Sequence, residues 1–420
     1  MNKMKKGYKR TEIGVIPVDW EVKNLGEFTT IKGGFAFTSN YFSDKGPILI
    51  TPGNFKLNGG LYFNQKNTKR YLGSYSSKMT FKSGDLLIVM TDLTPDCNLL
   101  GKPAFVYTKE IVLHNQRIGK ILVQDNIISS KYLYWLMLSP LYLSQIKDKA
   151  TGSTVRHTSN SSVYSSNIPL PPLPEQKAIA EVLSDTDNLI QALEKRIAKK
   201  RLIKQGAMQK LLTPKDDWEK ISIFELADRK KELFDDGDWI EAEFLTDSGI
   251  RLIQTGNIGK GYFIEKGNKK YISHQTFKKL KCKKVLEGDI LICRLAEPAG
   301  RACLFPYINE DKVITSVDVT MFRPIKDKVN RTFLVNIFNT EKWFNEVNER
   351  CGGSTRTRIA RGALGKIRIK IPKLKEQTHI ATILSNMDSE IEALEKKLAK
   401  YQQLKQGLMQ NLLTGKIRLI

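Results

Sequence analysis

The side chains best suited to chemistry in this sequence are ones that bind rather than ones that react. His114–Asn115–Gln116–Arg117 sets two amides beside a guanidinium directly after an apolar run. Such amides can pair with the edge of adenine, and arginine with guanine. Thr91 to Lys102, with Asn98 inside it, is a second polar loop after an apolar strand and offers similar groups. Gly152–Ser153–Thr154, followed by Arg156 and His157, suits phosphate oxygens, which accept from hydroxyl, backbone and arginine donors. It recurs as Gly353–Ser354–Thr355, followed by Arg356 and Arg358. Gly33 and Gly34, in the run Gly-Gly-Phe-Ala-Phe, could admit a ligand to the backbone or could simply turn the chain into a buried strand. Arg294, Arg301 and Ser316 complete the candidate contacts in the second half.

No reactive constellation stands beside them. There is no G-x-x-x-x-G-K-S/T phosphate loop. An Asn-Pro-Pro-Tyr-like tetrapeptide, the grip an amino-methyltransferase keeps on its base, is missing, and Pro95–Asp96 lacks the downstream Glu-x-Lys of a nuclease centre. Isolated carboxylates such as Asp92 and Asp247 read as solvated turn residues. The five cysteines (Cys97, Cys282, Cys293, Cys303, Cys351) form no C-x-x-C pair and there are four histidines, which argues against a zinc site or a disulfide framework. The expectation is therefore no catalytic residue, no metal and no cofactor in this chain, and a reducing cytoplasm as its compartment.

Charge points the same way. Across 420 residues, 68 Lys and Arg face 44 Asp and Glu, a net charge of +24 that favours a polyanionic partner. The longest apolar stretch, Tyr132 to Leu143, is broken by Ser139 and Pro140 and is too short to span a membrane. The basic N-terminus is followed by no apolar segment, so no signal peptide is expected.

The elements that must position these groups come as a repeat. Leu173–Pro174–Glu175–Gln176 recurs 201 positions on as Leu374–Lys375–Glu376–Gln377, and the register holds without a gap to Thr213 and Thr414. Both copies read as long helices. In the second, Leu384, Met387, Ile391, Leu394, Leu398, Tyr401, Leu408 and Leu412 fall at alternating steps of three and four, interrupted by Lys405. The first seam is weaker, with Leu183, Ile190, Leu193, Ile197 and Leu211 apolar but Thr186, Lys200 and Lys204 not. Each helix of roughly 55 Å must bury its stripe, and burying the two against each other is the simplest solution. Gly206 and Gly407, at matching helical positions, suggest a bend or a close helix approach. The Pro171–Pro174 spacing reads as a stiff lead-in to the helix.

The regions between echo one another more faintly: Asp19–Trp20–Glu21 with Asp217–Trp218–Glu219, Thr51–Pro52–Gly53–Asn54 with Gln254–Thr255–Gly256–Asn257, Gly84–Asp85 with Gly288–Asp289, and Gly101–Lys102 with Gly300–Arg301. Short apolar runs punctuated by Gly, Asp and Asn predict strands, with helix expected at 130–146 and 331–348. The fold class expected is α+β.

These features together resemble a known family. Thr11–Glu12–Ile13–Gly14–Val15–Ile16–Pro17 with Asp19–Trp20–Glu21, the Leu-Pro-Pro-Leu-Pro-Glu-Gln lead-in, the Lys-Gln-Gly-x-Met-Gln-x-Leu-Leu-Thr helix ends and the internal repeat look like type I restriction–modification specificity subunits, over essentially the whole chain. Two local departures stand out. The second lead-in has lost most of its prolines, and Lys200 falls in the first seam, where it is expected to loosen the coiled coil.

The resemblance implies target recognition domains at 1–168 and 214–367 and conserved spacer helices at 169–213 and 368–420. The two mixed α/β domains would be separated by the two long helices, paired as an antiparallel coiled coil. It also implies double-stranded DNA as ligand, read as two short half-sites across a nonspecific gap. Two methyltransferase subunits and restriction subunits would be partners, and S-adenosylmethionine, ATP and Mg would belong to those partners. The competing classes are a stand-alone DNA methyltransferase or nuclease, which would act without partners, and a coiled-coil scaffold, which would bind DNA weakly and without sequence preference.

Overall fold

The structure, a computed structural model, describes residues 6–353 and 357–419. It divides into two compact units, unit 1 of residues 1–194 with 396–420 and unit 2 of residues 195–395.

Each unit is built on two four-stranded sheets. In unit 1 the first sheet is antiparallel, in the order Pro103–Phe105, Leu86–Val89, Ile118–Val123, Thr29–Gly33. The second runs Lys69–Tyr71, Phe42–Leu49, Val112–Leu113, Thr80–Phe81, and its Phe42–Leu49 and Val112–Leu113 strands are parallel. Unit 2 repeats the plan. One sheet is ordered Ala302–Leu304, Ile290–Cys293, Val319–Phe322, Phe234–Asp236, and the other Leu245–Thr246, Lys270–Ile272, Ile250–Ile253, Val313–Thr315, again with a parallel pair, Ile250–Ile253 and Val313–Thr315. The central strand Leu86–Val89 is apolar at every position because both its faces are covered. Leu86 and Ile88 pack toward the helices, while Leu87 and Val89 enter a second core with Ile48, Ile50, Phe81 and Val112. Ile290 and Ile292, and Leu291 and Cys293, divide in the same way.

The faint sequence echoes are turn anchors. Asp85 accepts from the Lys82 N–H at 2.7 Å and pairs with Lys120 at 2.6 Å. Asp289 accepts from the Leu286 N–H at 2.8 Å and pairs with Arg323 at 2.8 Å. Asn54 and Asn257, both buried, each accept the N–H three residues back at 2.9 Å and donate to a carbonyl further along, Asn67 and Ile264. The helices expected at 130–146 and 331–348 each come as two, Ser130–Met137 with Pro140–Asp148 and Arg331–Ile337 with Glu341–Asn348. Ser139 and Thr340 cap the second member of each pair.

The long helices are Leu173–Leu211 and Leu374–Leu412. In the repeated Glu-Gln at their starts, it is the glutamine that makes the same contacts in both units. Gln176 accepts from the Ser129 N–H at 2.9 Å and donates to Ile127 and Pro171 carbonyls. Gln377 makes the same three bonds in unit 2, to Asn330, Lys328 and Pro372. Both are buried amides with every bond answered, which fixes each helix start on its own sheet-and-helix core.

Within each unit the two helices run antiparallel. In unit 1 Glu175 meets Arg418 and Asp187 meets Lys405. In unit 2 Lys200 meets Glu390 at 2.7 Å, Lys204 meets Asp388, and Arg201 meets Glu395 at 2.6 Å. Leu183, Ile190, Leu193, Ile197, Leu384, Ile391 and Leu412 are buried. Leu211, Met387, Leu394, Leu398, Tyr401 and Leu408 are half-buried. The lysines in the seam do not break it. Lys405 is held by Asp187 and lies over the Trp135 ring at 4.7 Å, and Lys200 is fixed by Glu390 rather than loosening the pair. The close helix approach suggested by Gly206 and Gly407 is not seen: nothing lies within 4 Å of where a Cβ would stand at either, and both lie inside continuous helices.

Candidate nucleic-acid interface

In unit 1 backbone bonds bring several polar stretches side by side. Phe35 N–H donates to His114 O at 2.8 Å and Gln116 N–H returns to Phe35 O at 2.9 Å, which joins Gly33–Phe35 to the Asn115–Arg117 turn. Met90 N–H donates to Arg117 O at 2.9 Å, and Thr158 N–H to Met90 O at 3.0 Å. The strand Thr91–Asp92 then pairs antiparallel with Arg156–His157, and Thr91 Oγ1 sits 3.1 Å from His157 Nδ1. Thus Gly33, Gly34, Thr91, Asn115, Gln116, Arg117, Arg156 and His157 adjoin. Ser153 and Thr154 are exposed on the loop leading to Arg156, and Asn98 is exposed on the loop after Asp92.

Gly34 serves the protein backbone. A Cβ there would fall 2.1 Å from Asn115 O, so the glycine lets the chain close on the turn. His114, behind it, is buried, with Nε2 2.8 Å from Ile118 O; burial lowers its pKa and keeps the ring neutral. Asp92 is no solvated turn residue. It is 1% exposed and accepts from Thr94 N–H at 2.9 Å and Leu99 N–H at 2.5 Å, so it shapes the loop that carries Asn98. Lys102 turns its ammonium to Leu57 O, and burial draws its pKa down.

The Asn115–Arg117 turn keeps its own side chains open. Asn115 Oδ1 accepts from Arg117 N–H at 2.9 Å, which stiffens the turn. Among the described residues, the Gln116 amide and the Arg117 guanidinium have no hydrogen-bond or ionic partner, and both residues are exposed. A cleft of about 240 Å³ opens beside them, walled by Phe37, Phe42, Thr51 and Lys69.

Unit 2 presents the same frame with different chemistry. Ser316–Val317–Asp318 is the matching turn, pinned by Gly237, whose Cβ would fall 2.3 Å from Ser316 O. Gly237 is therefore the counterpart of Gly34. Arg294, expected at the surface, is 2% exposed: it pairs with Asp236 at 2.9 Å and donates to Val317 and Ile359 carbonyls. Arg301 is an internal tie as well, donating to the carbonyls of Ile258, Leu295, Pro298 and Thr255. Among the described residues Arg294 Nε is buried without a partner, but the rest of its guanidinium, like that of Arg301, is engaged inside the fold rather than held open at the surface for DNA. The structure thus corrects the expectation for both. Ser316 is half-buried, and Arg358 is exposed but paired with Asp318 at 2.9 Å. Ser354, Thr355 and Arg356 lie outside the described residues. The exposed group that sequence reading missed here is Trp239, next to Asp238 and 68% exposed.

Burial raises the thiols of Cys282 to about 11 and Cys303 to about 12, the reverse of what a reactive cysteine needs. No helix among the described residues is long and apolar enough to cross a membrane.

The family model described as the type I restriction modification DNA specificity domain matches residues 17–201 and again 215–406. The type I restriction enzyme MjaVIII specificity subunit of Methanocaldococcus jannaschii is 23% identical, over 96% of this chain and 94% of its own length. From the same organism, the putative MjaX specificity subunit is 27% identical over 98% and 96%. The EcoBI specificity subunit of Escherichia coli is 27% identical over 65% of this chain and 60% of its own. In fold, the chain is similar to the solved S subunit of the type I restriction-modification system from M. genitalium, with a TM-score of 0.60, 15% identity and 98% of each chain covered.

Proposed function

The chain belongs to the type I restriction-modification DNA specificity family, whose role is DNA recognition rather than catalysis, and on that premise we propose that it reads a bipartite, asymmetric DNA target, one half-site with each unit. In this reading the chain docks two methyltransferase subunits on its duplicated frame, since two similar surfaces suit two copies of one partner. Restriction subunits join that assembly. S-adenosylmethionine, ATP and Mg act in the partners, and the cytoplasm is the compartment.

One observation carries the proposal beyond family membership. The two units hold matching turns by matching backbone contacts, yet present Asn-Gln-Arg in one and Ser-Val-Asp in the other. A shared frame that carries unlike side chains at equivalent positions suits an asymmetric target. The net charge of +24 supplies the sequence-independent attraction.

The test is to map methylated adenines genome-wide in a host carrying this chain and its methyltransferase partner, then replace residues 1–168 with the matching part of another member. The expected result is one changed half-site and one retained. A change in both halves, or methyl transfer from S-adenosylmethionine by the purified chain alone, would overturn the proposal. Binding should also weaken steeply with salt, as counterion release demands.

A further inference from the structure

The turn Asn115–Gln116–Arg117 combines three properties that rarely coincide on a surface loop. It is rigid: Gln116 N–H is bonded to Phe35 O, Arg117 O receives Met90 N–H, and Asn115 Oδ1 receives Arg117 N–H, while Gly34 closes against Asn115 O. Its side-chain donors are open, because neither Gln116 nor Arg117 has a partner among the described residues. It also borders a cleft whose walls include Phe42 and Lys69, with the Lys69 ammonium 5.7 Å from the Phe42 ring centroid. A rigid base with unanswered planar hydrogen-bonding groups is suited to reading an edge of fixed geometry, whereas a phosphate contact needs only a cation within reach.

Resting on the DNA-reader interpretation above, we propose that Gln116 and Arg117 are the specificity determinants of unit 1, with Arg117 selecting a guanine in its half-site and Asn115 positioning the turn. A guanidinium offers two parallel donors that match guanine O6 and N7, and a carboxamide offers the donor and acceptor that match adenine. The equivalent turn in unit 2 has no such reach. The Val317 side chain is apolar and its carbonyl is taken by Arg294, while Asp318 is occupied by Arg358. The position therefore specifies bases in one unit only.

The experiment selects bound molecules from a pool of duplexes with a randomised central stretch, using the full chain with its co-expressed methyltransferase subunits, and sequences them. Arg117→Ala and Arg117→Lys are compared with the unaltered chain. Both are expected to lower the guanine preference at one position of one half-site by roughly ten- to a hundredfold and to leave the other half-site intact. Lysine keeps the charge but not the fork, so it separates base reading from phosphate attraction. Gln116→Ala is expected to relax a different position of the same half-site. The side chains are exposed, so unchanged thermal unfolding verifies the fold. An unchanged motif in Arg117→Ala, or a loss of affinity equal for all duplexes and rescued by Arg117→Lys, overturns the assignment. A failure of the unaltered chain to select any motif would instead sink the DNA-specificity reading itself.

Discussion

The two units place the same turn at the end of the same strands and use charge there in opposite ways. In unit 1 the Arg117 guanidinium stands open among the described residues, while Lys120 is tied to Asp85, Lys102 to the Leu57 carbonyl and Arg156 to the Gly152 carbonyl. In unit 2 Asp235 pairs with Arg361 and Lys283, Asp236 with Arg294, and Asp318 with Arg358. Arg117 faces outward from the unit 1 turn, while Arg294 and Arg358 help hold the unit 2 turn together. The lesson concerns arginine: its presence at a strand end says nothing about exposure until its acceptors are known.

The sharpest way to break that comparison is to remove an answered arginine. Arg294→Ala would leave Asp236 and the Val317 and Ile359 carbonyls without their buried partner, and breaking a buried pair by removing one member costs about 3 kcal/mol. Denaturant unfolding should show a loss of this size, while Arg117→Ala stays within about 0.5 kcal/mol of the unaltered chain, as exposed substitutions do. Equal effects from the two would mean that the arginines are not differently employed.

A second contrast lies where the long helices end. In unit 2 residues 212–218 carry the chain covalently from helix into the strand Glu219–Ser222, and Trp218 Nε1 is buried without a hydrogen-bond partner among the described residues. Lys215 and Glu376 make an exposed pair there. In unit 1 the matching join is non-covalent. Arg418, at the repeat position of Asp217, binds Glu175 at 2.7 Å and Asp19 at 2.7 Å, Trp20 Nε1 donates to Glu175 at 2.9 Å, and Tyr8 donates to Gly415 O at 3.0 Å. Gly415, at φ +69°, packs on Pro17, where a Cβ would not fit.

Glu175 is only 3% exposed. Burial pushes its carboxyl up, but hydrogen bonds from Arg418, Trp20 and the Leu419 N–H outweigh this and hold it below its ordinary value. The Arg418 bond does the same for Asp19. Depressed carboxylates bind protons more weakly folded than unfolded, so their contribution is complete above the ordinary carboxylate range and disappears as pH falls through the depressed values. Arg418→Ala should therefore cost about 2 kcal/mol at neutral pH, with the gap to the unaltered chain closing below about pH 4. Lys215→Ala, which removes an exposed, solvent-screened pair, should leave the denaturation midpoint almost unchanged. A pH-independent gap would show that Arg418 acts by packing alone.

How much of this the sequence makes legible depends on the range of the interactions. The heptad steps mark which helical residues are buried because that pattern is local. They also mark Lys405 as a defect, since its partner Asp187 lies 218 residues away and no spacing rule connects them. Gly-Asp and Gly-Asn echoes survive because a turn anchor bonds its near neighbours. Gly237 is invisible as the twin of Gly34 because Asp-Asp-Gly-Asp and Lys-Gly-Gly-Phe share only the residue that sterics demand. Arg301 looks like a surface reader because its acceptors are backbone carbonyls, which carry no letter of their own, and Arg294 because it too bonds carbonyls and its one carboxylate partner, Asp236, is distant in sequence.

A small expected gain separates two uses of glycine. A Cβ at Gly206 or Gly407 would meet nothing within 4 Å, whereas at Gly34 and Gly237 it would fall 2.1 Å and 2.3 Å from a carbonyl oxygen. In mid-helix, alanine restricts the unfolded chain and favours helix, so Gly206→Ala and Gly407→Ala should each stabilise by about 0.5–1 kcal/mol, read as a raised midpoint in denaturant. Because both sites are open in their own units, the two gains should add. Gly34→Ala and Gly237→Ala should instead destabilise, because the backbone they meet cannot yield. If Gly206→Ala and Gly407→Ala raised stability yet weakened capture of methyltransferase subunits, the space beside them would belong to the partner, and the repeat of glycine would record a docking contact rather than helix geometry.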